Sequence, residues 1–182
     1  MAANVEVKAW LPNPLRAIEQ IRSLSNTDPE VLCQDDQFYG VPRGRLKMRS
    51  AADGQCELVY YRRDNTRGPR ISSYFREPLN DPIAKNAELS RRFGLSGNVR
   101  KERLVFILRG VRIHIDAVEG LGSFIEIEVP VSIPSEFPRA HAIAANLLKE
   151  LQIASSDLVA ESYEELLARR ERGNCSSTDE AG

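Results

Sequence analysis

The chain of 182 residues is 42% hydrophobic, enough for one domain with a substantial core, and its 25 basic and 26 acidic side chains nearly cancel. That balance gives no net pull toward nucleic acid or an anionic membrane. Cys33, Cys56 and Cys175 are widely spaced without a CxxC pair, which argues against a zinc site and suits a reducing compartment.

The opening stretch MAANVEVKAWL has neither the basic region nor the long apolar core of a signal peptide, and no apolar run reaches membrane-span length. A cytoplasmic location is expected. Residues 4–11 alternate, with Asn4, Glu6, Lys8 and Trp10 on one face and Val5, Val7, Ala9 and Leu11 on the other, the period of a strand. Asn13 and Pro14 open a short amphipathic helix carrying Leu15, Ile18, Ile21 and Leu24 and ending near Ser25. Asn26 to Pro29 reads as a turn, and the polar run Gln34-Asp35-Asp36-Gln37 as a lead-in to the next strand.

That next strand sets Arg43, Arg45, Lys47 and Arg49 on one face, opposite Leu46 and Met48. Four like charges so placed need acidic neighbours, solvent or an anionic ligand. Asp53-Gly54 is a hairpin signal, followed by a strand with Glu57, Val59, Tyr61 and Arg63 on one parity. A loop delivers Arg70 to a further strand, Arg70 to Glu77, whose Ser72 and Tyr74 share its parity. Asp81 caps a helix from Pro82 to near Phe93-Gly94.

Val99 to Leu108 reads as a long strand with Lys101 and Arg103 on one face. A hairpin then spans Val111 to Val131, its first strand bearing Arg112, His114 and Asp116 and its second Glu126 and Glu128. His114 is placed to donate to phosphate or to bond its neighbour Asp116. Ser135 is expected to cap a helix with Ala140, Ile143, Ala144, Leu147, Leu148 and Leu151 inward, on which His141 is a surface or locally bonded residue. Ser162 and Glu165 form a capping box for a last helix. One domain over residues 1–168 and a disordered tail over residues 169–182 are expected.

Seven or eight strands with short connections predict an α+β fold, an antiparallel sheet curled into a closed or nearly closed β-barrel with flanking helices. If the apolar parity packs against helices outside, the polar parity lines a tunnel. It would hold Glu6, Lys8, Lys47, Arg49, Arg63, Arg70, Lys101, Arg103, Arg112, Asp116, Glu126 and Glu128. Eight bases against four acids leave about +4, which a triphosphate of about −4 offsets. Clustered carboxylates are hard oxygen ligands for Mg2+ or Mn2+, which bridges phosphate oxygens while arginine and lysine grip the rest.

The segments VEVKAWL, QFYGVPRGRLKMR, LVYYRRDNTRGPR, VRKERLVF, HIDAVEGLGSFIEIEV and SYEELL resemble, in order, the CYTH superfamily of triphosphate tunnel metalloenzymes, in the branch similar to class IV adenylate cyclases. The resemblance implies an eight-stranded antiparallel closed β-barrel, a tunnel whose interior binds triphosphate with Mg2+ or Mn2+. It implies Glu6, Glu126 and Glu128 as metal carboxylates with Asp116 as a further metal or orienting group, and Lys8, Lys47, Arg49, Arg63, Arg70, Lys101 and Arg103 as phosphate clamps. There are two departures. Asn4 stands where the family has an acid, and Arg70 where lysine is usual, which alters reach and hydrogen-bond geometry.

The expected function is therefore a metal-dependent enzyme on a triphosphate-containing small molecule, with Lys8, Glu6 and Glu126 at its catalytic centre. The reaction is hydrolysis of triphosphate, a nucleotide or thiamine triphosphate, or cyclisation of ATP to cAMP. A non-catalytic polyphosphate-binding module is the alternative. No nucleic-acid or membrane partner is expected, and the protein is a monomer or homodimer.

Overall fold

The computed structural model describes residues 1–25 and 27–175. The elements run β1 (Ala2–Trp10), α1 (Pro14–Ser25), β2 (Glu30–Tyr39), β3 (Arg45–Ala51), β4 (Cys56–Arg63), β5 (Arg70–Pro78), α2 (Pro82–Phe93), β6 (Leu95–Leu108), β7 (Val111–Val118), β8 (Gly122–Val131), α3 (Phe137–Glu150), β9 (Leu158–Val159) and α4 (Tyr163–Cys175). The strands pair in the order β5-β4-β3-β2-β6-β7-β8-β1, and β1 pairs back to β5, so eight antiparallel strands close a barrel. Strand β9 adds to β1 at Lys8 and Ala9, outside the ring.

Closure works because each strand has two distinct faces. Val5, Val7 and Ala9 of β1 point outward with Ile113, Ile115, Ile125 and Ile127, and this apolar sheet face packs under Ala17 and Ile21 of α1 and Ala140, Ala144 and Leu147 of α3. Burying that many aliphatic side chains, each contributing about 1.5–3 kcal/mol, offsets the cost of turning the charged parity inward. Helix α2 covers a second outer patch with Leu89 against Leu46 and Met48. A third cluster, Phe38, Val99, Phe124, Val159, Tyr163 and Leu166, closes one end of the barrel beneath β9 and α4.

Four local expectations are corrected. The run Gln34 to Gln37 lies within strand β2, pairing with both β3 and β6. Arg43 precedes β3 and is exposed, so it does not share the inward face of Arg45, Lys47 and Arg49. Before α3 the chain makes a single tight helical turn at Pro134–Glu136, and the Glu136 carboxylate, not Ser135, accepts from the amides of Ser132 and Ile133. Helix α4 continues through Arg169 to Cys175, into the segment expected as a tail. It is held there by Arg169 on Glu161 and by Arg170 on the Gly120 carbonyl. Asn26 of the expected turn, and the tail from residue 176, lie outside the described residues. Among the described residues no helix is long and apolar enough to cross a membrane.

Candidate functional site

The inward parity encloses a cavity of about 280 Å³, the size of a small-molecule site. Glu6, Lys8, Lys47, Arg49, Arg63, Lys101, Arg103, Arg112, Glu126 and Glu128 all line it, as do Asn4, His114, Tyr61 and Tyr74. Ten expected side chains from six strands thus meet in one space. Arg70 and Asp116 are buried behind the wall and serve its residues.

On one side Asp36 of β2 is the hub. Its Oδ2 accepts from Lys47 Nζ and Lys101 Nζ, each at 2.8 Å, and its two oxygens accept from Arg49 Nε at 2.7 Å and Nη2 at 2.9 Å. Burial pushes the Asp36 carboxyl up, but Lys101, Lys47 and Arg49 together hold it well below the usual carboxylate range. Lys47 is pushed well down by burial and by the Arg49 charge, against the attraction of Asp36. Lys101 is lowered chiefly by burial. The four groups form a compact cationic wall of net charge about +2 that needs an anion to complete it.

The facing wall carries the acids. In the closed ring β3 and β8 stand four strands apart in either direction, so Lys47 and Arg49 oppose Glu126 and Glu128 across the tunnel. Register places Lys8 opposite Glu126 and Glu126 opposite His114, while Glu128 lies between Glu6 and Arg112. Burial acts to raise Glu126, yet Lys8, the neighbouring His114 and Arg103 hold it well below its ordinary value. Glu6 moves the other way, raised by burial and by the Glu126 charge against the pull of Arg63 and Arg70, whose Nε atoms lie 3.1 and 3.4 Å from its Oε1. Lys8 is lowered to about 8, mainly by burial.

At the closed end, the segment from β9 into α4 feeds backbone carbonyls to three of the expected clamps. Arg63 donates to Ala160 O at 2.8 Å, Arg70 to Val159 O at 3.0 Å, and Lys8 approaches Glu161 O at 3.5 Å. Tyr163 lies under Lys8, with Nζ 3.9 Å from the ring centroid, and donates its hydroxyl to Asp116 Oδ2 at 2.7 Å. Asp116 is 0% exposed, and Arg103 Nε and Nη2 donate to its oxygens at 2.6 Å each. Both carboxylate oxygens thus accept hydrogen bonds, and in this arrangement Asp116 orients Arg103. Arg103 in turn reaches Glu126 at 2.9 Å.

The residues missed in the sequence are Asp36 and Tyr163 as organisers. Tyr163 was legible only as a helix residue, because its tunnel role depends on the segment before α4 folding back over the barrel. His114 is not bonded to Asp116, and its Nδ1 is buried without any hydrogen-bond partner. Trp10 packs on Phe124, ring centroids 4.2 Å apart, as a wall residue.

Residues 2–163 match the CYTH domain. The chain belongs to the CYTH family. A relative from Methanocaldococcus jannaschii named "Putative adenylate cyclase" is 27% identical over 176 residues, spanning 89% of this chain and 97% of that one. Among solved structures, the PH1012 protein of Pyrococcus horikoshii OT3 superposes with a TM-score of 0.76 at 24% identity, over 90% of this chain and 99% of that one. The Hippeastrum "Putative adenylyl cyclase HpAC1", described as revealing a dominant triphosphatase activity, has a TM-score of 0.64 at 18% identity, over 93% of this chain and 96% of that one. The CYTH barrel is thus shared with both solved chains. A divalent cation of the kind CYTH proteins use finds a fitting donor set here. Ligand atoms of His114, Glu126 and Glu128 lie within 4.8 Å of one another, and one of them is the unpartnered imidazole nitrogen.

Proposed function

We propose that the tunnel binds a triphosphate-bearing small molecule with one divalent cation and hydrolyses it. The observation that carries this reading is that the cations of β3 and β6, held by Asp36 of β2, share one closed cavity with Glu126 and Glu128 of β8. A polyanion spanning the tunnel meets Lys47, Arg49 and Lys101 on one wall and Lys8, Arg63 and Arg103 near the other. A cation bound at the β8 carboxylates would neutralise phosphate charge and polarise the bond to be broken. Glu6, raised by burial and by Glu126, would take the proton from the attacking water. Lys8 and Arg103 stabilise charge as it develops on the leaving phosphate.

Hydrolysis is favoured over cyclisation by Asn4, which puts a neutral amide into the lining where the family pattern has an acid and so weakens a second metal position. The test is a panel of inorganic triphosphate, ATP and thiamine triphosphate incubated with Mg2+ or Mn2+, with products resolved. Phosphate or pyrophosphate release without cAMP is expected, and Glu126→Ala and Lys8→Ala should each lose most turnover. Formation of cAMP from ATP would establish cyclisation. Tight triphosphate binding with no product would establish a binding module.

A further inference from the structure

Among the described residues of the acid wall, one titratable side chain has a buried ring nitrogen without a hydrogen-bond partner. His114 is 5% exposed, lines the tunnel from β7, and its Nδ1 accepts no hydrogen bond and donates none. The nearest carboxylate oxygens are Glu126 Oε2 at 3.7 Å and Glu128 Oε1 at 3.9 Å. These separations are too long for a hydrogen bond.

We propose that His114 Nδ1 is a metal ligand alongside Glu126 and Glu128, making a mixed nitrogen and oxygen site that takes Mn2+ in preference to Mg2+. The inference rests on reading the tunnel as a cation-assisted triphosphate site. Two atoms each about 2.1 Å from one ion stand roughly 3.0–3.5 Å apart, so the two His114 gaps need to close by only a few tenths of an ångström, whereas the Glu126 and Glu128 donor atoms, within a 4.8 Å spread, must draw in by more. The surroundings prepare the carboxylates for this. Arg112 Nε and Nη2 both donate to Glu128 Oε2, at 3.0 and 2.8 Å, which turns Oε1 toward the imidazole. Arg103 Nη2 donates to Glu126 Oε2, the oxygen nearest the imidazole, and so holds that oxygen in place beside His114. Such outer contacts set ligand direction. Mg2+ favours oxygen donors and retains water, whereas an imidazole nitrogen raises affinity for transition ions.

The chain contains only two histidines, which makes the test specific. His141 lies on α3 outside the barrel, its Nδ1 engaged with the Phe137 carbonyl at 2.9 Å. Untagged protein loaded with Mn2+ alone is examined by pulsed electron paramagnetic resonance for modulation from a directly bound nitrogen. Wild type and His141→Gln should show it, and His114→Leu should not. Labelling histidine with nitrogen-15 should shift the signal in the wild-type protein, which checks the assignment without any substitution. In direct titration, His114→Leu should weaken Mn2+ by about tenfold or more and Mg2+ by less than about threefold. Mn2+ bound to wild type without nitrogen coupling overturns the role of His114 and leaves the cation-assisted reading standing. Equal losses of Mn2+ and Mg2+ overturn the selectivity. Failure of Mn2+ to bind, alone or with inorganic triphosphate, overturns both.

Discussion

Asp36 holds Arg49 with both carboxylate oxygens, Nε on Oδ1 at 2.7 Å and Nη2 on Oδ2 at 2.9 Å, while the same Oδ2 also receives Lys47 and Lys101. One acid from β2 thereby fixes the spacing of three cations from β3 and β6. Asp36→Asn removes the charge but keeps the shape, leaving three buried cations to repel one another. Stability in urea should fall by about 3–5 kcal/mol. Inorganic triphosphate should restore more stability to this variant than to wild type, because the anion replaces the missing charge. A variant as stable as wild type would show that the wall does not depend on Asp36.

The pH dependence of stability should contain a separable contribution from Glu165. Its carboxylate accepts from the Ser162 amide at 2.7 Å and from Arg45 at 2.8 Å, and these bonds, against burial, lower it from 4.5 to about 2. The folded value is depressed, so the stabilisation is present above about pH 4.5 and is lost as pH falls toward about 2. Glu165→Gln should flatten the stability curve in that window. Asp36, also depressed, contributes a further loss at the acid end, and urea melts from pH 2 to 6 separate the two in the single variants.

Tyr163→Phe removes the hydroxyl that binds Asp116 and keeps the ring beneath Lys8 and against Phe124. Loss of a buried hydrogen bond to a charged group should cost about 2 kcal/mol. Because Asp116 steers Arg103, turnover should fall more than Mn2+ affinity does. Parallel measurement of both quantities checks this.

Asn4→Glu tests whether the amide limits the number of ions. Asn4 Oδ1 is buried without a partner, and β1 places it one inward position from Glu6, with Glu128 on the adjoining strand. An added acid there should raise Mn2+ stoichiometry from one toward two and lower stability in the metal-free protein. Unchanged stoichiometry would remove Asn4 as the reason for a single ion.

Most of the barrel was legible in the sequence because its strands alternate apolar and polar residues, as Val5 with Glu6 or Ile127 with Glu128. Strand β2 was hidden for a physical reason. Gln34 and Asp36 face inward to a charged tunnel, while Asp35 faces outward to Arg100, so both parities are polar and the period vanishes. Asp36 was lost with it. For Asp116, parity identifies the inward face but not that Arg103 and Tyr163 cover it. The carbonyls of Val159 and Ala160 have no side-chain signature at all, and only the folded position of β9 reveals them.

Strand β1 pairs with β5, β8 and β9, so the residue that meets Glu6 on one side is Arg70 and on the other Glu128. During synthesis the first strand must wait until the chain has been made out to Val131 before the ring around it can shut. Until then the nascent barrel has an open seam through the middle of its reactive lining. The eight-stranded lining consequently comes together only when the ring shuts, and the segment from Val159 to Tyr163 that braces Lys8, Arg63 and Arg70 is added after it.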